Sequence, residues 1–319
     1  MISLKKDKSF DDLNKLAKDK KPFLFICDFK ALDIDVFPLN ELHKHDIEFN
    51  ISDKNSLNNY KQNIKKEPIS FQEYKKKFDL VQENIKSGNT YLLNLTASTH
   101  IETELTLKDV FLKANAKYKL RYKDKFVCFS PESFVQIKDN KIHTFPMKGT
   151  IDASVENAQE KILKDKKEMA EHIMVVDLLR NDLSIVSSNV RVDKFRYIDK
   201  ISAGNKELLH VSSHISGELE DNWNERLGDI LKALLPAGSI SGTPKKSTLE
   251  IIDKIENYDR GYFSGVFGIY DGETLDSGVM IRFLEKRKDG YIYKSGGGIT
   301  LDSDVNNEYK ELLDKVYLP

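Results

Sequence analysis

Cysteine is scarce in this 319-residue chain: Cys27 and Cys128 are its only two. Two thiols cannot build a disulfide framework or a cysteine-rich metal centre, so a reducing compartment is expected. An excess of either charge is also missing, since 50 Lys+Arg against 51 Asp+Glu leave a net charge of −1. Without a localised cationic stripe there is nothing to hold a nucleic-acid backbone. No apolar run reaches spanning length, and the opening "MISLKKDKSFDDLNKL" lacks the apolar core of an export signal. Export and membrane embedding are therefore excluded, and the cytoplasm is the expected location.

The length admits two domains, but no tandem repeat or low-complexity linker divides the chain. Over the first seventy residues, "PFLFICDF" (22–29) reads as one strand, and the rest as loops and short elements. In 71–88, Tyr74, Phe78, Val81 and Ile85 form one stripe of an amphipathic helix that stops at Gly88. "TYLLNLTAST" then leads to a β-meander over about 120–148, whose hairpin turns at Asp139-Asn140. One long helix is predicted over roughly 157–185. The strand "ELLHVSSHISGEL" places His210, Ser212 and His214 on one face. Thr243 is expected to cap a helix with Pro244 at its first position. Two hairpins and a helix from about Asp304 to Val316 complete the chain. Strands clustered between helices and joined by tight turns predict an α+β unit of antiparallel sheets with helices outside.

Few stretches carry chemistry when taken alone. Glu168 and Glu171, and again Glu308 and Glu311, lie three apart on helices, so each pair shares a face. Four carboxylates converging from two helices suit a hard dication such as Mg²⁺, although a single pair reads as a solvated surface. "AGSISGTPK" (237–245) lacks the Walker spacing and reduces to a glycine-rich loop before a helix N-terminus. "SGGGIT" (295–300) is a second loop open to close approach. Arg282, central in "GVMIRFL", is the residue type suited to a carboxylate. His210 could contact a substrate oxygen. Glu132, after Pro131 in "FSPES", could deliver a proton if burial raised its pKa. Lys148, in the otherwise uncharged "HTFPMKGT", stands just before Gly149.

Eight stretches taken in order resemble one family, the chorismate-utilising enzymes. They are "FSPESFV", "FPMKGTID", "EMAEHIMVVDLLRNDLSIV", "LLHVSSHISGEL", "LLPAGSISGTPKKSTLEIIDKIE", "RGYFSGVFGIYDG", "MIRFLE" and "SGGGITLDSDVNNEYKELLDK". The resemblance covers about residues 75–317 and implies a single domain over 1–319, with a variable part over 1–70 and the family core over 71–319. It implies one α/β/β/α sandwich of two large antiparallel sheets with outer helices and a cleft between them. Carried over by position, Glu171 and Glu311 would ligate Mg²⁺ directly, with Glu168 and Glu308 acting through water. Arg282, Gly296, Gly298, Lys315, Gly149 and Thr150 match positions that hold substrate carboxylates. Ser239, Phe263 and His210 also match active-site positions, and Glu132 matches the acid that protonates the departing C4 hydroxyl.

Lys148 selects within the family, because anthranilate synthases resemble "P-I-A-G-T" here whereas aminodeoxychorismate synthases carry lysine. The resemblance thus implies a component I that joins ammonia to chorismate through a Lys148 intermediate, on the route to 4-aminobenzoate and folate. A desolvated, neutral amine is expected at that position. An anthranilate-forming enzyme and a non-catalytic chorismate-binding scaffold are the alternatives. Leu92 aligns where isochorismate and salicylate synthases use a lysine base, which argues against water as nucleophile. Phe263 replaces a common Tyr or Trp, and the short N-terminal region makes feedback by tryptophan doubtful. Neither cysteine sits in a glutaminase-type motif, so a separate glutamine amidotransferase subunit is expected to supply ammonia. No lyase segment is evident, so a further enzyme is expected to release 4-aminobenzoate.

Overall fold

A computed structural model describes residues 4–52, 64–203 and 206–319. Two antiparallel sheets dominate the described residues, with helices against their outer faces. The larger sheet runs, in spatial order, through Met147–Asp152, Lys206–Glu218, Lys141–Thr144, Ser133–Lys138, Leu275–Val279, Val266–Tyr270, Phe23–Cys27 and Ile34–Pro38. Ser188–Ala203 adds a further partner to Lys206–Glu218. The second sheet runs through Gly242–Thr243, Leu92–Glu102, Gly290–Ile299, Phe283–Arg287, Phe126–Ser130, Tyr118–Tyr122 and Ile47–Ile51, with Lys65–Glu67 beside Leu92–Glu102. This is the expected α+β sandwich.

The strand Phe23–Cys27 shows why it reads as an unbroken apolar run. Phe23, Phe25 and Cys27 pack with Phe10 and Leu13 of the helix Leu4–Lys18. Leu24 and Ile26 face the other way, into a core shared with Leu120, Phe126 and Phe283 of the second sheet. Both faces are buried, so alternation disappears from the sequence. On Phe71–Lys86 the predicted stripe of Tyr74, Phe78, Val81 and Ile85 is buried, Ser70 caps the N-terminus, and Gly88 follows at φ 74°. The hairpin at Asp139-Asn140 turns with both residues at positive φ, as a two-residue turn between twisted strands requires.

Four expectations need correction. The long helix predicted over 157–185 is two, Ala158–Lys164 and Lys166–Val186, because Asp165 leaves helical geometry and its carboxylate accepts from the Glu168 N–H. Pro244, not Thr243, takes the capping position of Lys245–Glu256, since Thr243 is held in a short pairing with Leu92. The first seventy residues hold more than one strand: the helix Leu4–Lys18 and the strands Ile34–Pro38 and Ile47–Ile51 join the two sheets' framework. The 16-residue strand Ser188–Ala203 has no clean alternation to read, as its register against Lys206–Glu218 shifts three times. No helix among the described residues is long and apolar enough to cross a membrane.

Candidate active site

Lys148 belongs to the strand Met147–Asp152, whose pairing with Lys206–Glu218 slips between Met147 and Thr150. Gly149 makes that bulge possible at φ +92°, a conformation that strains any L side chain. The bulge turns the lysine into a cavity of about 240 Å³ lined by Glu132, His210, Ser239, Phe263, Arg282 and Lys315, among others. Lys148 Nζ lies 3.0 Å from Glu171 Oε2. Burial alone would lower the lysine pKa, but Glu171, with Glu311 and Glu168 behind it, outweighs burial and raises it. The amine is therefore held as an ammonium against Glu171. This corrects the expectation of a lysine deprotonated by desolvation.

Glu132 enters the cavity from the break between Phe126–Ser130 and Ser133–Lys138. Burial pushes its pKa above the ordinary carboxylate value, although Ser239, Lys315, Lys148 and Arg282 all pull it back down. Ser239 Oγ donates to Glu132 Oε1 at 2.5 Å. A half-buried carboxyl with a raised pKa is suited to keep and then release a proton.

His210 Nδ1 stands 3.1 Å from Thr150 Oγ1, and its buried Nε2 has no partner among the described residues. Burial, reinforced by the nearby Arg282 charge, lowers its pKa to about 4. The ring is thus a neutral hydrogen-bonding group. Arg282 takes a left-handed φ of 52°, lies over the Tyr317 ring at 5.4 Å, and also leaves a buried Nε without a partner. Lys315 Nζ sits 2.6 Å from Glu311 Oε1 and donates to the Gly296 carbonyl at 2.8 Å. A half-buried guanidinium and a half-buried ammonium beside a glycine-lined wall make a receptor for carboxylates. The wall admits no side chain at Gly296, where a Cβ would fall 2.5 Å from the Leu95 carbonyl oxygen. Phe263 is buried beside Phe283 and closes an apolar side.

The helices Lys166–Val186 and Val305–Asp314 bring their glutamate pairs to one edge of this cavity. Lys167 links them, with Nζ 3.8 Å from Glu171 Oε1 and 3.9 Å from Glu308 Oε1. Burial raises the pKa of Glu168, and Glu171 raises it further. Burial likewise raises that of Glu308. A Cβ on Gly149 would come 3.2 Å from Glu168 Oε2, and one on Gly297 would come 3.3 Å from Glu308 Oε2. Crowded carboxylates that repel one another, faced by glycines, with ammonium groups between them, are an oxygen donor set that fits a hard dication.

Three further residues were not singled out for roles in the sequence. Lys167 resembles any lysine of a charged helix. Lys294 lines the cavity, donates to the Arg260 carbonyl at 2.9 Å and lies 2.8 Å from Glu285. Asp182 lies 3.2 Å from Lys245, which also donates to the Leu234 carbonyl at 3.0 Å. This clip spans the base of the loop that carries Ser239, so the lysine of "GTPKK" serves the protein rather than a phosphate. Leu92 lines the cavity as aligned, and a Cβ on Gly298 would stand 3.2 Å from Leu92 Cδ1 and 3.5 Å from Lys148 Nζ.

Comparison with known proteins agrees with this geometry. The family model described as chorismate binding enzyme matches residues 38–318. A Haemophilus influenzae protein described as an uncharacterized PabA-like protein is 46% identical over 313 residues, covering 97% of this chain and 95% of that one. The aminodeoxychorismate synthase component 1 of Bacillus subtilis is 31% identical over 265 residues, 78% of this chain and 55% of that protein. Among solved structures, a putative 2,3-dihydroxybenzoate-specific isochorismate synthase from Bacillus anthracis superposes with a TM-score of 0.73 at 20% identity, over 97% of this chain and 86% of that one. Anthranilate synthase component I from Streptococcus pneumoniae superposes at 0.66 with 26% identity, over 82% and 60%. With the matched family model covering the cavity and all but the two N-terminal strands of the sheets, the chain belongs to the chorismate-binding enzymes.

Proposed function

We propose that this protein is an aminodeoxychorismate synthase component I, which converts chorismate and ammonia into 4-amino-4-deoxychorismate and water. The observation that carries this reading is Lys148 in the cavity, bonded to the Glu171 carboxylate and accompanied by a half-buried acid of raised pKa, Glu132. Once the Lys148 ammonium has given a proton to solvent, the freed amine attacks C2 of the ring. The ring double bonds shift, the C4–O bond breaks, and Glu132 gives its proton to the departing hydroxyl, which leaves as water. Ammonia then adds at C4, the double bonds return, the C2–N bond breaks to release Lys148, and the proton shed by the new C4 nitrogen restores Glu132.

Arg282, Lys315 and the backbone at Gly296 and Gly298 receive the substrate carboxylates, while His210 and Thr150 sit beside the ring. Glu171 and Glu311, with Glu168 and Glu308 next to them, would hold Mg²⁺, which when bound neutralises the carboxylate cluster and a carboxylate of the substrate. Leu92 offers no base for water, which favours an amine as the nucleophile at C2. Ammonia would come from a separate glutamine amidotransferase subunit, and the product would serve 4-aminobenzoate and folate synthesis.

Incubating the protein with chorismate, Mg²⁺ and ammonium tests this directly. Mass spectrometry should find the amino-deoxy product, with no anthranilate fluorescence. Anthranilate formed without any added lyase would replace this reading with that of an anthranilate synthase.

A further inference from the structure

His143, Asp193 and His214 lie on three neighbouring strands of the larger sheet, Lys141–Thr144, Ser188–Ala203 and Lys206–Glu218, and none of them lines the cavity. The central strand pairs Ser216 with His143 on one side and His214 with Lys194 on the other. Asp193 falls where the pairing shifts between Val192 and Lys194, and such a bulge re-aims a side chain. His143 Nδ1 and His214 Nε2 stand 3.0 Å apart, and His214 Nδ1 stands 3.7 Å from Asp193 Oδ2. Arg191 donates to Asp193 Oδ1 at 2.8 Å, which leaves Oδ2 turned toward the histidine. One donor atom from each of the three side chains lies within 4.8 Å of the other two.

The surroundings fix these groups. The Phe145 ring stacks on His214 at 4.8 Å with an interplanar angle of 8°, holding the imidazole plane. Burial lowers the pKa of both histidines, with the His214 charge and Lys141 adding at His143 and Lys194 adding at His214, while Asp193 opposes at both. Neutral imidazoles keep the lone pairs that a metal takes. Ligands on a tetrahedral Zn²⁺ with bonds of about 2.1 Å stand about 3.4 Å apart; since one ion takes a single nitrogen of His214, the 3.0 Å between His143 Nδ1 and His214 Nε2 is the edge that compares with it. Two imidazoles and one carboxylate suit Zn²⁺ and similar transition dications; a hard cation such as Mg²⁺ prefers an all-oxygen set.

We propose that His143, His214 and Asp193 form a transition-metal site of the Zn²⁺ class, separate from the carboxylate cluster, with at least one coordination position open to water or an external ligand. It ties together three strands, one of which carries His210 four residues before His214. Bound metal would thus stiffen the strand that supports one side of the cavity.

The test is calorimetric titration of metal-free full-length protein with ZnCl₂, paired with thermal unfolding at fixed Mg²⁺. One equivalent should bind and raise the unfolding temperature. Binding should persist in Glu171→Gln/Glu311→Gln and weaken by more than about tenfold in His143→Gln/His214→Gln. Co²⁺ bound in place of Zn²⁺ should give a visible absorption band that the histidine variant lacks. Asp193→Asn, which leaves both rings in place, should weaken binding too and serves if the double variant does not fold. Absence of saturable binding in the wild type, equal binding by the histidine variant and by Asp193→Asn, or loss only in the glutamate variant would each overturn the site.

Discussion

Ser239 Oγ donates to Glu132 Oε1, and through that bond a helical loop pulls down the raised pKa of a half-buried carboxyl. Glu132 must be protonated to act, so activity falls as pH rises through its raised pKa. Ser239→Ala removes a donor that lowers this pKa, and the basic limb of kcat/KM against pH should move to higher pH. Glu132→Gln should lower kcat by about 10²- to 10⁴-fold while chorismate still binds. An unshifted limb in Ser239→Ala, or an active Glu132→Gln, assigns the proton to another group.

Lys148→Ala removes the proposed nucleophile and leaves the buried Glu171 with only the more distant Lys167 ammonium beside it. Ammonium-dependent turnover should fall by at least about 10³-fold. Intact-protein mass spectrometry with chorismate and no ammonia should find an adduct on the wild type and none on the variant.

His210 is neutral in the fold down to pH of about 4, whereas an unfolded histidine protonates near 6.5. Its contribution to stability is present above pH 6.5 and is lost as pH falls from 6.5 toward 4. That interval corresponds to about 3 kcal/mol at most. Histidine NMR titration should place one ring near the lower value, and chemical unfolding of His210→Gln should show a flatter acid limb than the wild type.

Lys245→Met should act on the reaction at a distance. It strands the buried Asp182 carboxylate and frees the Leu234 carbonyl from its donor, costing about 1–3 kcal/mol. Adding Asp182→Asn should recover part of that loss, because the uncompensated charge is gone. If Ser239 is positioned through this clip, Lys245→Met should also move the pH limb that Ser239→Ala moves. An unchanged limb would restrict the clip to stability.

Gly297→Ala brings a methyl group to 3.3 Å from Glu308 Oε2 and 3.7 Å from Glu311 Oε1. The Mg²⁺ concentration giving half-maximal activity should rise severalfold with little change in the unfolding temperature without metal.

The sequence conveys the interior strands and the amphipathic helices because burial imposes a period, as Tyr74, Phe78, Val81 and Ile85 show. It conveys the site only through the order of motifs, since Glu132, Lys148 and Arg282 have no local pattern that separates them from surface residues. Asp165 hid the break in the long helix because a capping aspartate resembles any charged helical residue. Ser188–Ala203 stayed hidden because its register shifts erase the two-residue period. The charge state of Lys148 could not be read at all, as it depends on carboxylates from two distant helices.

The helix Val305–Asp314 brings Glu308 and Glu311 to a pocket whose lysine is Lys148, more than 150 residues earlier. A ribosome must therefore translate nearly the whole of this sequence before the carboxylate cluster can assemble. Until then Lys148 lacks part of its counter-charge. Partly made chains should be catalytically silent, for the second sheet too is completed only by Gly290–Ile299, just before that helix.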